Sequence, residues 1–157
     1  MVNVLNNNYF IYLYYMLNIF SKLISYTIAF CVGLFLITYL LKLPHIITGH
    51  SKIVNIYYVK NYVKNVPLDY LFVLCYFLLS YLFIKLCNTT NNYIKTLIVA
   101  LTTLVLTSLF CYYFVSKKVT TNFFSKWFHT VGYSSVIYDI ILLVTIYIFY
   151  LFLEQHK

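Results

Sequence analysis

The chain of 157 residues contains no arginine. Planar, two-pronged grips on phosphate or carboxylate are therefore excluded, and its lysines, 11 in number, offer point-charge contacts only. Acidic residues number three: Asp69, Asp139 and Glu154. Charged residues of all kinds make up 9 % of the chain, where about 25 % is usual for soluble domains. Glycine and proline are nearly absent, at 3 and 2 residues. Hydrophobic residues instead reach 63 %, against roughly 45–50 % in soluble proteins. A water-facing globule of this size cannot be covered with so little polar side chain, so lipid is the expected solvent.

Positive charge without a lipid context would point to nucleic acid, since the net charge is +8. Here the lysines sit at the ends of apolar runs or between them, as membrane-surface anchors do. The 19 Tyr and 14 Phe fall mostly inside those runs, where they pack or face lipid. No nucleic-acid partner is expected. The dominant residues (Tyr, Phe, Asn, Ile, Lys) share AT-rich codons, a mutational bias rather than a mechanism.

A bilayer core of about 30 Å asks for about 20 uncharged residues in a helix. Leu23–Leu41 carries no charge; Leu68–Leu86 has only Asp69 at its start and Lys85 at its end. Thr96–Val115 is uncharged, and Ser135–Leu153 is interrupted only by Asp139. Short segments with a polar inner face, the mark of a membrane β-barrel, do not occur. The fold class expected is all-α, an integral membrane bundle of four transmembrane helices spanning 23–41, 68–86, 96–115 and 135–153.

Residues 1–22 form a separate N-terminal segment ahead of the membrane domain, 23–157. Asn6-Asn7-Asn8 precedes the aromatic run Tyr9–Phe20, which is too short to cross. The start has no lysine and no small-residue cleavage site, so a secretory signal is not expected. The segment lies in the interface or extends the first helix.

Orientation follows from lysine counts. Leu41–Pro67 holds Lys42, Lys52, Lys60 and Lys64, and Ser116–Ser134 holds Lys117, Lys118 and Lys126. Lys22, Lys85, Lys95 and Lys157 fall on the opposite side. The positive-inside rule then places both long loops in the cytoplasm and both termini across the membrane. Ile53–Val66 interleaves Ile, Val and Tyr with Lys and Asn on no clean helical face, and reads as a segment lying on the interface. Pro67 is expected to open the second span from its first turn. Lys60, Lys64, Lys117, Lys118 and the single Trp127 are the expected interfacial anchors.

Ser25, Ala29 and Gly33 recur every four residues on the first span. Such a stripe of small side chains lets helix backbones approach closely, within the bundle or between copies. Thr102, Thr103, Thr107 and Ser108 give the third span hydroxyls that bond other helices, their own carbonyls, or a polar lining.

Asp139 is the most informative single residue, because a carboxylate within a span is costly. One account places it near a helix start at Ser134 or Ser135, where the helix dipole favours negative charge, with Asp69 excused in the same way. The other makes it part of an intramembrane polar site with Lys126, His129 or a tyrosine hydroxyl as partner. His45, His50, His129, Asp69 and Asp139 all fall toward one face. Their spacing matches no helical ligand pair, so no metal and no cofactor is expected.

Thr130-Val131-Gly132-Tyr133 resembles four-fifths of a potassium-channel filter. Ser134 replaces the second glycine, the fourth span begins with no room for an exit loop, and nearby lysines repel cations. Cys31, Cys75, Cys87 and Cys111 include no Cys-x-x-Cys pair, which a membrane disulfide oxidoreductase needs. Asn88-Thr89-Thr90 is a glycosylation sequon held against the headgroups by its short loop, and its use is not expected.

The stretch Phe123-Phe124-Ser125-Lys126-Trp127-Phe128-His129-Thr130-Val131-Gly132-Tyr133, running on to Tyr138-Asp139, resembles the end of small multi-pass membrane proteins of nucleocytoplasmic large DNA viruses. The AT-rich composition is similar to that of many such genomes. The resemblance covers about a fifth of the chain together with its hydropathy profile. It implies a protein of a virion internal membrane or an infected-cell membrane, with Trp127, Gly132, Tyr138 and Asp139 as the positions to watch.

The expected function is therefore a structural or interaction role in a membrane, without enzymatic activity. Expected partners are the bilayer, anionic lipid headgroups, and either a second copy or a viral capsid or membrane protein. The alternative is a small ion or proton channel or transporter using Asp139 and the third-span hydroxyls.

Overall fold

A computed structural model describes the backbone of residues 2–156 and the side chains of residues 14–156. The expectations resting on Met1, on the side chains of Asn6–Asn8 and on Lys157 lie outside the described residues.

Helix α1 runs over Val2–Leu34 and continues as a π-helical turn, Phe35–Leu40. Two short helices follow, α2 (Leu43–Thr48) and α3 (Ser51–Asn55), then a second π-helical turn, Ile56–Lys60. Next come α4 (Tyr62–Leu86), α5 (Asn92–Val115), α6 (Phe123–Val131) and α7 (Ser134–Gln155). No strand occurs among the described residues. Among the described residues, four segments are long and apolar enough to cross a bilayer: Tyr14–Leu40, Tyr62–Leu86, Asn92–Val115 and Ser134–Gln155. The chain is an all-α, membrane-embedded protein, as lipid requires of a backbone that must satisfy its own hydrogen bonds.

The helices overrun the uncharged runs because the flanking Tyr, Asn and Lys residues continue the helical backbone. The second span shows it best. Helix α4 begins at Tyr62, so Pro67 lies inside it rather than opening it. The missing N–H at Pro67 denies the Val63 carbonyl its bond from the next turn, a loss that the first turn would have avoided. Asparagines set the next two starts. Asn91 accepts a bond from the Tyr93 N–H (2.8 Å) at the start of α5, and Asn122 accepts one from the Phe124 N–H (3.0 Å) at the start of α6.

Helix α7 is central, packing most extensively on α5 and α1, with α4 against α5. Gly33 on α1 meets α7 so closely that a Cβ there would lie 2.6 Å from Ile146 Cγ1 and 3.3 Å from its Cα. Ser25 and Ala29, on the same stripe, are fully covered.

Both long loops fold back onto the bundle. Val54, Tyr57 and Tyr58 bury their side chains in the protein, so Ile53–Val66 does not simply rest on a lipid surface. Trp127 also departs from the sequence reading. Expected as an interfacial anchor, it is only 7 % exposed. The reason is the amphipathic α6, which turns Trp127, Phe128 and Val131 to the bundle and leaves Lys126 outside. Gly132, at φ +58°, links α6 to α7. Its carbonyl accepts bonds from both the Ser135 N–H (3.2 Å) and the Ser135 hydroxyl (2.7 Å). The filter-like tetrapeptide is thus the junction between two helices.

Candidate functional site: a carboxylate-lined cavity

Beneath the folded-back loops lies a cavity of about 170 Å³. The second π-helical turn supplies Tyr57 and Tyr58, and α4 supplies Asp69, Phe72 and Tyr76. Phe110 and Phe114 close it from α5, Trp127 and Phe128 from α6, and Asp139 with Leu142 from α7. Two of the three carboxylates in the chain therefore face one aromatic-walled space.

Neither carboxylate sits in the first turn of its helix. Asp69 is the eighth residue of α4 and Asp139 the sixth of α7. The dipole effect fades beyond the first turn, so it does not account for them. Asp69 is no helix-start carboxylate, because α4 begins at Tyr62, five residues before Pro67.

Each carboxylate is held through one oxygen. The Tyr57 hydroxyl donates to Asp69 Oδ1 in a short hydrogen bond. The Thr107 hydroxyl donates to Asp139 Oδ2 at 3.1 Å. Because that proton is committed, the Tyr76 hydroxyl donates to Thr107 Oγ1, also at 3.1 Å. The second oxygen of Asp69, Oδ2, is buried and has no hydrogen-bond partner. Such an orphan is costly, more so on an ionised group.

A second relay braces the wall. Tyr138 donates to the Tyr58 hydroxyl (2.9 Å), so Thr38 donates to Tyr138 (2.9 Å). Tyr39 donates to the Tyr58 carbonyl (2.9 Å), and Asn65 Nδ2 donates to the Tyr57 carbonyl (3.2 Å). Burial, foremost, pushes the hydroxyls of Tyr57 and Tyr58 well above the usual tyrosine range; Asp69 adds to the rise at Tyr57, and Tyr138 and Asp69 add to it at Tyr58.

Of the expected polar site, Asp139 is in the cavity, but Lys126 and His129 are not its partners. Lys126 is exposed on the outer face of α6. His129 Nε2 is buried with no hydrogen-bond partner. His45 bonds Asn55 Oδ1 (2.9 Å) between α2 and α3. Among the described residues, no group of three or more His, Cys, Asp and Glu comes together to hold a metal. All four cysteines are free, with Cys75 exposed and Cys111 buried. Lys60, Lys64, Lys117 and Lys118 are exposed, and Lys117 Nζ lies 3.8 Å from the Tyr113 ring centroid.

The signal available in the sequence is that two of only three acidic residues lie inside spans, both toward the ends joined by the long loops. Tyr57 and Tyr76 carry no such signal, and Asp69, which the sequence places toward the same face as Asp139, reads there as a helix-start carboxylate rather than a site residue. Compared with protein-family models, curated proteins and solved structures, the chain matches none.

Proposed function

We propose that the protein is a non-catalytic interaction component of its membrane, with the loop-side face as the working surface and the cavity beneath it as the recognition element. The supporting observation is that both long loops fold back over the bundle and close a cavity lined by two carboxylates. In the sequence, seven lysines fall within 41–67 and 116–134 and four outside those stretches, an excess that supports a cytoplasmic working face with both termini away from it. Exposed Lys60, Lys64, Lys117 and Lys118 then contact anionic headgroups. The resemblance of residues 123–139 to small membrane proteins of large DNA viruses supports a virion or infected-cell membrane as the setting, with a capsid or membrane protein, or a second copy, as the proposed partner.

Two measurements test the reading. With the four native cysteines replaced by serine, cysteines placed singly at Lys60 and Lys118 should react with an impermeant thiol reagent from the cytoplasmic side only, and one at Lys95 only from the other. Cross-linking from Lys60 in native membranes should give one discrete adduct with a second copy or a particle protein. Recovery solely as a free monomer overturns the interaction role.

The Thr107–Asp139 bond favours a second reading, because it joins a third-span hydroxyl to the intramembrane carboxylate as a small cation or proton transporter would require. Flux in reconstituted vesicles that disappears in Asp139→Asn would establish it. Thr103, one turn away, is instead spent on its own helix, donating to the Val99 carbonyl (2.8 Å).

A further inference from the structure

We infer that the cavity binds a small organic ammonium ion that still carries N–H groups. Charge sets the sign of the guest. Asp69 and Asp139 line the cavity, and among the described residues no lysine or histidine does. Once ionised, the two carboxylates need a countercharge in this mostly apolar space, which a cationic guest supplies and a neutral or anionic one does not.

The walls set the kind of cation. Rings of Tyr57, Tyr76, Trp127 and Phe72 border the same space as the carboxylates, and aromatic faces attract weakly hydrated cations. A compact metal ion asks for several hard ligands at once, and no group of three forms among the described residues. An organic ammonium matches both the aromatic walls and the acid.

Hydrogen bonding sets the substitution. Asp69 Oδ1 is already taken by Tyr57, while Asp69 Oδ2 is buried without a partner. An ammonium N–H satisfies that oxygen; a quaternary ammonium has no proton to offer. Volume sets the size, since a cavity of about 150 Å³ in another protein takes up benzene, and this one measures about 170 Å³. The guest is thus one ring, or a short branched chain, bearing a protonated amine. Both carboxylates lie within the first eight residues of their helices, so the guest reaches them without passing the far half of the bundle.

The chain reports on its own cavity, because its single tryptophan, Trp127, lines it. The test titrates the purified full-length protein in detergent with benzylammonium, benzyl alcohol and benzyltrimethylammonium, reading Trp127 emission. Benzylammonium should give a saturable change, benzyl alcohol none, and the quaternary ion should bind at least about tenfold more weakly. Asp69→Asn and Asp139→Asn should each weaken benzylammonium by about tenfold or more. Lys95→Gln, at the other end of the bundle, should bind as the parent does. Tyr57→Phe keeps the ring, leaves Asp69 Oδ2 open and releases Oδ1 as well, so saturable binding should persist. That variant decides the matter if thermal unfolding shows that the Asn variants do not fold. No saturable response at about 10 mM, equal binding of the alcohol or the quaternary ion, undiminished binding in both Asn variants, or loss of binding in Tyr57→Phe overturns the assignment. Such a failure removes the ligand and leaves the cross-linking test of the loop face untouched.

Discussion

Where α1 crosses α7, Gly33 brings the helices so close that a Cβ there would lie 2.6 Å from Ile146 Cγ1. Where α4 and α5 meet α7, two carboxylates and a ring of aromatic side chains hold open about 170 Å³. The first contact is what helix association in lipid favours: small residues, close backbones and dispersion contacts. The second forfeits those contacts and adds groups that are expensive in an apolar medium. Leucines could have filled the same corner. Acid and open space at one corner, beside tight packing at another, separate the part that holds the fold from the part to which we assign the proposed recognition.

The largest expected effect falls on the tight contact. Gly33→Leu should destabilise the bundle by about 1–3 kcal/mol, toward the upper end because the Ile146 backbone as well as its side chain is in the way. Thermal unfolding in detergent reads this, and an unchanged midpoint would remove the contrast. Tyr138→Phe comes next. It strips the acceptor from Thr38 and the donor from Tyr58 at full burial, and should cost about 1–2 kcal/mol. Asp139→Asn sharpens the other side. It keeps an acceptor for Thr107, so stability should move by less than about 1 kcal/mol while benzylammonium binding falls. A large loss of stability would instead assign Asp139 to the scaffold.

The smallest effect is alkaline. Tyr57 and Tyr58 have raised proton affinities in the folded chain, through burial first and neighbouring charge second. Below about pH 10 both folded and unfolded forms keep these protons. Above it the unfolded chain releases them and the folded chain does not, so stability should decline as pH rises further. Denaturation followed between about pH 8 and 11 checks the sign.

The four spans were legible because lipid imposes a length and a lack of charge, and both are read directly from sequence. Their ends were not, since Tyr62, Val63 and Lys64 continue a helix that polarity alone would have stopped. That single error propagated to Asp69, which looked like a helix-start carboxylate once Pro67 was given the first turn. Asp139 stands out as an intramembrane acid, and its partner Thr107 is in the sequence only one of several third-span hydroxyls, beside Lys126, His129 and the tyrosines. Lys126 is near in sequence and carries the right charge, yet the direction of α6 turns it outward. Thr107, 32 residues away, arrives through α5–α7 packing. The inward turn of Tyr57, Tyr58 and Trp127 was hidden for a related reason. An aromatic residue near a membrane surface satisfies the same composition whether it faces headgroups or fills a gap between helices.

The first span contributes none of the residues that border the cavity, yet it governs one of its walls. Thr38 and Tyr39 are neighbours on the π-helical end of that span, and between them they grip Tyr58 at both ends, hydroxyl through Tyr138 and carbonyl directly. Tyr58 is thereby clamped like a beam fixed at two supports. A slide or twist of the first span along its own axis would travel through that clamp, so the N-terminal helix can act as a remote handle on a chamber it never enters.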